Sequence, residues 1–511
     1  MIKRVKARPF SYYGACFLGG LLASLALPPI GFWIAVFALS VPLIGAVHRA
    51  EDGGSLWASA MAGWMAGTGW FVFSLSWISN ALMTSGGAHM LLIPFTLLGL
   101  PAFLGLFWGA AFAVSHYIKN RLRLSPSLHL TSLIMAISLF EYCRGFVLTG
   151  FPWNAPGLVL AAHHEGLMIA SVAGYWGGGL LVLMVAALPA LIIISGRRMA
   201  AMVILMMGVT STVAHHSGTV FDTASTGMTV RILQPNIPQN DKWNGEKRRR
   251  HLSDLVVASR KESDTPLDLL VWPETAFAGI YERERGVLSA IAQAASAGKT
   301  PVLTGVLTQK DDPFRLYNSA ILFNPDGSLS GQISKRHLVP FGEFAPFRSF
   351  IPFVDVIAGP LDFSEGSGPQ SVSVNGINAL TLICYEVIFP SAVHHAVDRE
   401  GADIIIALTN DAWFGNTIGP RQHLAMAQFR SAELGIPMVR SANTGVSAFI
   451  NSFGHVEAYL DYDQTGYIDR VIGPSRQTLY GQIGDWIYFL IMIIFAGGAI
   501  CIGLTTMKPK E

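Results

Sequence analysis

Charge is what this chain of 511 residues has least of. Asp, Glu, Lys and Arg make up 13% of it, where a soluble domain carries about 25%. The shortage is concentrated: residues 1–215 hold 15 such residues and residues 53–118 hold none. A charge-free run of that length is too long for one core helix. It covers two membrane spans of about 20 residues with a turn between them, which excludes an entirely soluble protein. Cysteine is scarce too. Of four, Cys16, Cys143 and Cys501 lie in apolar segments, so Cys384 is alone in the polar part of the chain. A thiol without a disulfide partner is easiest to understand if its chemistry is used. Also missing are a basic groove, a Walker or dinucleotide glycine fingerprint, and a spaced set of metal ligands. The pairs His163-His164, His215-His216 and His394-His395 do not supply that set, because adjacent side chains on a strand face apart. Nucleic acid, cofactor and metal are therefore not expected.

What is present is a series of apolar runs. Seven spans are read near residues 10–27, 31–47, 56–80, 90–115, 127–149, 166–195 and 199–215, with an eighth near 486–507. Basic residues cluster at Lys3 to Arg8, Arg49, Lys119 to Arg123, Arg197-Arg198 and Lys508 to Lys510. With these spans, every cluster falls on one side of the membrane, and the positive-inside rule makes that side cytoplasmic. Both termini are then inside and the segment after span seven is extracytoplasmic. A cleaved signal peptide is disfavoured, because further spans follow at once. Glu141 and Arg144 lie three apart in span five, where intramembrane charge points to function by default. They can pair with each other, or Arg144 can snorkel to the headgroups or recognise a lipid phosphate.

Residues 217–484 hold most of the charge, and their periodicity changes. Strands are expected at 228–233, 267–272, 301–307, 315–324, 377–384, 403–408, 437–451 and 455–460, and helices at 246–261, 282–297 and 421–434. Strands alternating with helices, then strands in pairs, predict a layered α/β sandwich. The division is thus 1–216 (seven membrane helices), 217–484 (the α/β domain) and 485–511 (an eighth helix and tail). Within the second part, Phe344, Phe347, Phe350 and Phe353 alternate with prolines. The stretch is too broken to span a bilayer and too apolar for an ordinary loop. It reads either as a loop tucked on the core or as a lid that touches acyl chains.

Three reactive side chains close apolar runs: Glu274 after Trp272-Pro273, Lys335 after Ile333-Ser334, and Cys384 after Leu382-Ile383. Strand ends are where sites form in α/β folds, although each residue alone is more often a solvated turn or a small core residue. Taken in order, Trp272-Pro273-Glu274, Lys335 and Cys384-Tyr385-Glu386 resemble the Glu-Lys-Cys triad of the nitrilase superfamily. Leu148 to Trp153, His337 to Phe344 and Asn410 to Gly415 extend the likeness over essentially the whole chain, which resembles the membrane-embedded apolipoprotein N-acyltransferases.

That resemblance implies a multi-span α-helical membrane domain plus a nitrilase-like α-β-β-α sandwich. It implies transfer of an acyl chain from a phospholipid, typically phosphatidylethanolamine, to the α-amino group of an apolipoprotein's S-diacylglyceryl-cysteine. Cys384 would carry the acyl group as a thioester, and Lys335 would lower the thiol's pKa and hold the oxyanion. Glu274 would move the proton in both half-reactions. The resemblance also gives Glu343 a role in orienting Lys335 or the amine, and Glu386 a role in fixing the Cys384 loop. Trp243, Tyr385, Asn410 and Trp413 would shape the substrate path, and Gly415 would allow a tight turn. The location implied is the bacterial inner membrane with a periplasmic catalytic domain. Two alternatives remain: a membrane-anchored amidase using the same triad, and a transporter or scaffold with an inert domain.

Overall fold

The computed structural model describes residues 9–220, 226–346, 348–350 and 361–506. It divides into two compact units. The first holds residues up to Ser79, Leu92–Ser217, and Gln482 onward; the second holds Asn80–Leu91 and Gly218–Gly481.

The first unit is helical. Among the described residues, five helices are long and apolar enough to cross a membrane: Trp33–Glu51, His89–Leu122, His164–Ala186, Arg197–His216 and Trp486–Leu504. Ser11–Ala26 is apolar but shorter, and Leu56–Ser74 and Pro126–Arg144 have 19 residues each. The run at 166–195 is broken at Gly174, whose φ is +64°, and again after Ala186, where a further helix begins at Leu188 with Pro189 in its first turn. Proline lacks the N–H that would continue the ladder. Glycine lets neighbouring helices touch backbone to backbone. A Cβ on Gly20 would lie 1.9 Å from the Ala66 carbonyl oxygen, and one on Gly69 2.0 Å from that of Phe17. Close approach of this kind is how helices associate where no hydrophobic drive separates them from lipid.

Glu141 and Arg144 form a salt bridge of 2.6 Å, with both side chains almost fully buried. The Trp108 indole donates to Glu141 at 2.8 Å, and Arg144 donates to the carbonyls of Trp153, at 3.1 Å, and Phe151. Arg144 therefore neither snorkels nor offers itself to a phosphate. Its guanidinium ties the loop at 150–154 to the helix Pro126–Arg144, and pairing removes the cost of burying either charge alone.

The second unit is a sandwich. Its strands are β1 (Thr229–Gln234), β2 (Leu269–Val271), β3 (Phe277–Ile280), β4 (Val302–Asp311), β5 (Phe314–Phe323), β6 (Leu329–Ser334), β7 (Ser371–Val374), β8 (Ile377–Ile383), β9 (Ile404–Thr409), β10 (Met438–Ala442), β11 (Ser447–Ile450), β12 (Val456–Leu460) and β13 (Gly466–Val471). Among the described residues one sheet runs β13-β1-β2-β4-β5-β6, with β3 beside β4, and the other runs β12-β11-β10-β9-β8-β7. The central strands β1, β2 and β4 are parallel, as are β8, β9 and β10.

Side-chain alternation sets the layers. Val230, Ile232, Leu269, Val271, Leu303 and Leu322 of the first sheet pack with Ile383, Ile404, Ile406, Leu408 and Val439 of the second. Leu233, Leu270, Val302, Ile321 and Phe323 point the other way, onto the helices Gly245–Ser259 and Tyr281–Ser296. The helices Pro390–Glu400 and Ile418–Leu434 belong with the second sheet, giving helix, sheet, sheet, helix. This is the expected α-β-β-α order. Arg231 closes one layer: it grips Asp469 at 2.6 Å and caps the end of a helix through the Ser259 carbonyl at 2.8 Å.

Candidate active site

The parallel strands bring their carboxyl ends to one side, and the reactive residues follow those ends. Glu274 comes three residues after β2, Lys335 directly after β6 and Cys384 directly after β8. Cys384 takes a left-handed backbone, φ +51°, as the chain turns into the short helix Cys384–Ile388. That conformation is costly for a residue with a Cβ.

Lys335 is 1% exposed and its ammonium lies 2.9 Å from Glu343 and 4.0 Å from Glu274. Asn318, on β5, joins the two carboxylates: its amide donates to Glu274 at 2.7 Å and to Glu343 at 2.9 Å. Glu343 also accepts the Val339 N–H at 2.8 Å. Glu386 is a bracket between loops. It accepts the N–H of Ile383 at 2.7 Å on the Cys384 side and that of Arg336 at 2.8 Å on the Lys335 side. The Arg336 guanidinium turns away, to the Gly368 carbonyl.

Burial drives the protonation of the site. The Cys384 thiol is pushed up to about 12, first by burial and then by the charge of Glu274, and Lys335 pulls it down only in part. Lys335 thus lowers the thiol's pKa, as expected, but burial and Glu274 outweigh it. An anionic sulfur has too little solvation here, and the lysine's charge is shared with two carboxylates. Burial also raises the Glu274 carboxyl, helped by Glu343 and opposed by Lys335 and Lys242. Burial works against the Lys335 charge, but Glu343, Cys384 and Glu274 outweigh it and hold the ammonium above the ordinary lysine range. The resting arrangement is a neutral thiol, a firm cation and a carboxylate of raised basicity, which suits a base that collects the thiol proton during attack.

Two residues of this cluster were not foreseen. Asn318 is one. Lys242 is the other: it is 3% exposed, its ammonium donates to the Glu274 carbonyl at 2.9 Å, and burial lowers its pKa to about 8. Trp243, beside it, is 54% exposed. Tyr385 is buried edge-on against Phe389, which stacks on His337. Asn410 donates to Gln239 at 2.8 Å and accepts from Asn443 at 3.0 Å, bracing the ends of β9 and β10. Trp413 is half-exposed, and its carbonyl takes the Asn80 amide at 3.2 Å. Gly415 turns at φ +63°, and a Cβ there would meet the Asn80 side chain at 2.4 Å. Phe344 is half-buried and its segment bridges back to Pro340. Phe347, Phe353 and the Phe350 side chain lie outside the described residues, so the lid is not addressed.

Among the described residues no group of three or more His, Cys, Asp or Glu could hold a metal ion. The His pairs sit at helices rather than on strands: His164 opens one, and His215-His216 and His394-His395 lie within others.

Residues 229–478 match the model of the carbon-nitrogen hydrolase family, and residues 19–188 that of the apolipoprotein N-acyltransferase N-terminal domain. An apolipoprotein N-acyltransferase of Rhodopseudomonas palustris is 36% identical over 497 residues, 92% of this chain and 91% of its own. The chain belongs to the apolipoprotein N-acyltransferase family. A second family member, from Brucella suis, is 34% identical over 508 residues, 94% of this chain and 93% of its own. An amidase of the nitrilase superfamily from Nesterenkonia AN1 superposes over 52% of this chain and 95% of its own at 16% identity, with a TM-score of 0.38. Membership makes the chain an acyltransferase and a multi-pass membrane protein. The amidase and scaffold readings are not favoured, because relatives of one name match both halves of the chain.

Proposed function

We propose that the chain transfers an acyl group from a phospholipid, with phosphatidylethanolamine the expected donor, to the α-amino group of an apolipoprotein's S-diacylglyceryl-cysteine. The carrier is a thioester on Cys384. Glu274 takes the thiol proton as sulfur attacks the ester carbonyl, and Lys335 with a nearby backbone N–H holds the oxyanion. The ester C–O bond breaks, Glu274 returns the proton to the departing oxygen, and a lysophospholipid leaves. Glu274 next takes a proton from the incoming amine. Nitrogen attacks the thioester, the C–S bond breaks, and the proton returns to sulfur. The observation that carries this reading is Glu274 and Lys335 at 4.0 Å, with both charges acting on the Cys384 thiol.

The basic clusters support a periplasmic catalytic domain with both termini cytoplasmic. The proposed division is 1–216, 217–484 and 485–511. The test is mass spectrometry of the full-length protein after incubation with phospholipid. The expected result is an acyl adduct on Cys384 that a diacylglyceryl-cysteine peptide discharges, and loss of both in Cys384→Ala. Undiminished transfer by Cys384→Ala would defeat the proposal.

A further inference from the structure

Behind Cys384 lies a buried polar cluster that this chemistry does not use. Asp411, His423 and Arg440 have no measurable exposure. Arg440 donates to Asp411 at 2.6 Å and lies 3.0 Å from His423 Nδ1. Asp411 Oδ1 is 2.8 Å from the same Nδ1 and takes the Thr409 hydroxyl at 2.9 Å. The ring's other nitrogen, Nε2, is 3.2 Å from the backbone oxygen of Cys384. A carbonyl has no hydrogen to give, so this contact is a hydrogen bond only with a proton on Nε2. With its proton on Nε2, the ring accepts at Nδ1 from Arg440, which Asp411 holds in turn; Asp411 thus fixes the ring through Arg440, and the ring fixes the Cys384 carbonyl.

A trans peptide is planar, with its C=O and N–H pointing in opposite directions. Holding the Cys384 carbonyl therefore also sets the direction of the Tyr385 N–H. At a residue whose φ is +51°, that orientation needs an outside hold. We propose that Asp411 and His423 are positioning residues for acyl transfer: His423 grips the Cys384–Tyr385 peptide by its oxygen and so aims its N–H at the oxyanion. The inference rests on the reading of Cys384 as nucleophile.

Two polar substitutions in the full-length protein test it. His423→Gln keeps a donor at the reach of Nε2; His423→Asn keeps a polar group near Asp411 but falls short of the Cys384 carbonyl. The expected result for His423→Asn is kcat down by about tenfold to a hundredfold, less than the roughly hundredfold to thousandfold cost of deleting an oxyanion donor because the N–H is misaimed and not removed, with KM for phospholipid unchanged. His423→Gln restores kcat to within about fivefold of the parent. Alkylation of Cys384 by iodoacetamide, which forms no oxyanion, stays within about threefold of the parent in both. Parental kcat in His423→Asn, a His423→Gln as slow as His423→Asn, or an equal fall in alkylation would each overturn the proposal. Failure of the nucleophile reading shows separately, as transfer by Cys384→Ala.

Discussion

Lys335 makes its close ion pair with Glu343, at 2.9 Å, and stands 4.0 Å from Glu274. The two carboxylates are therefore not equivalent. Glu343 anchors the cation, and Glu274, the proposed base, stands off from it. Asn318 donates to both and keeps them in register.

Glu343→Gln should cut kcat by about tenfold or more, since a misplaced oxyanion cation costs transition-state stabilisation. It should also shift the pH profile. The charge of Glu343 raises the Glu274 pKa, so removing it lowers that pKa. The base is active when ionised, and the acid limb of kcat/KM should move to lower pH. A limb that stays put would show that Glu343 does not act on Glu274.

Alkylation of Cys384 should accelerate steadily with pH. A thiol pushed up to about 12 is neutral at pH 7, and its thiolate fraction grows tenfold per pH unit. The rate constant for iodoacetamide should keep climbing through pH 9. A plateau below pH 8 would reveal a preformed thiolate–lysine pair instead.

Replacing Glu386 should damage both loops at once. Glu386→Ala leaves the buried N–H of Ile383 and the part-buried N–H of Arg336 without their acceptor, at about 1–3 kcal/mol for the first. Thermal unfolding in detergent should shift down, and transfer should fall more than stability alone explains. Activity at the parental level would show that the bracket is dispensable.

Arg144→Ala should destabilise the protein by about 3–5 kcal/mol, because it leaves Glu141 as an unpaired buried charge. The double substitution Glu141→Leu with Arg144→Leu should cost less than Arg144→Ala. Chemical unfolding of the three proteins in one detergent decides this; a double variant less stable than Arg144→Ala would contradict it.

The central strands were legible because they are continuous apolar runs, and Glu274, Lys335 and Cys384 were legible because they close such runs. The strands not anticipated include β6, β7 and β13, all at sheet edges. Leu329–Ser334 and Gly466–Val471 carry small or polar residues with little alternation, because an edge strand buries less, and Ser371–Val374 alternates but is only four residues long. The stretch 437–451 holds two strands, β10 and β11, separated by a turn. Asn318 escaped notice because its partners lie 44 and 25 residues away. Lys242 precedes an exposed tryptophan, and nothing local marks it as buried. The raised thiol pKa was illegible for the same reason: it depends on burial and on charges brought in from distant loops, which no short motif encodes.

A sulfur that keeps its proton until an ester arrives is also slow to rust. Peroxide and other oxidants attack the anion, and sulfenic acid forms in proportion to it. With burial and Glu274 raising the thiol's pKa, little of it is in the anionic form that oxidants attack. In the periplasmic setting proposed for this domain, a solitary cysteine can then endure without glutathione to repair it.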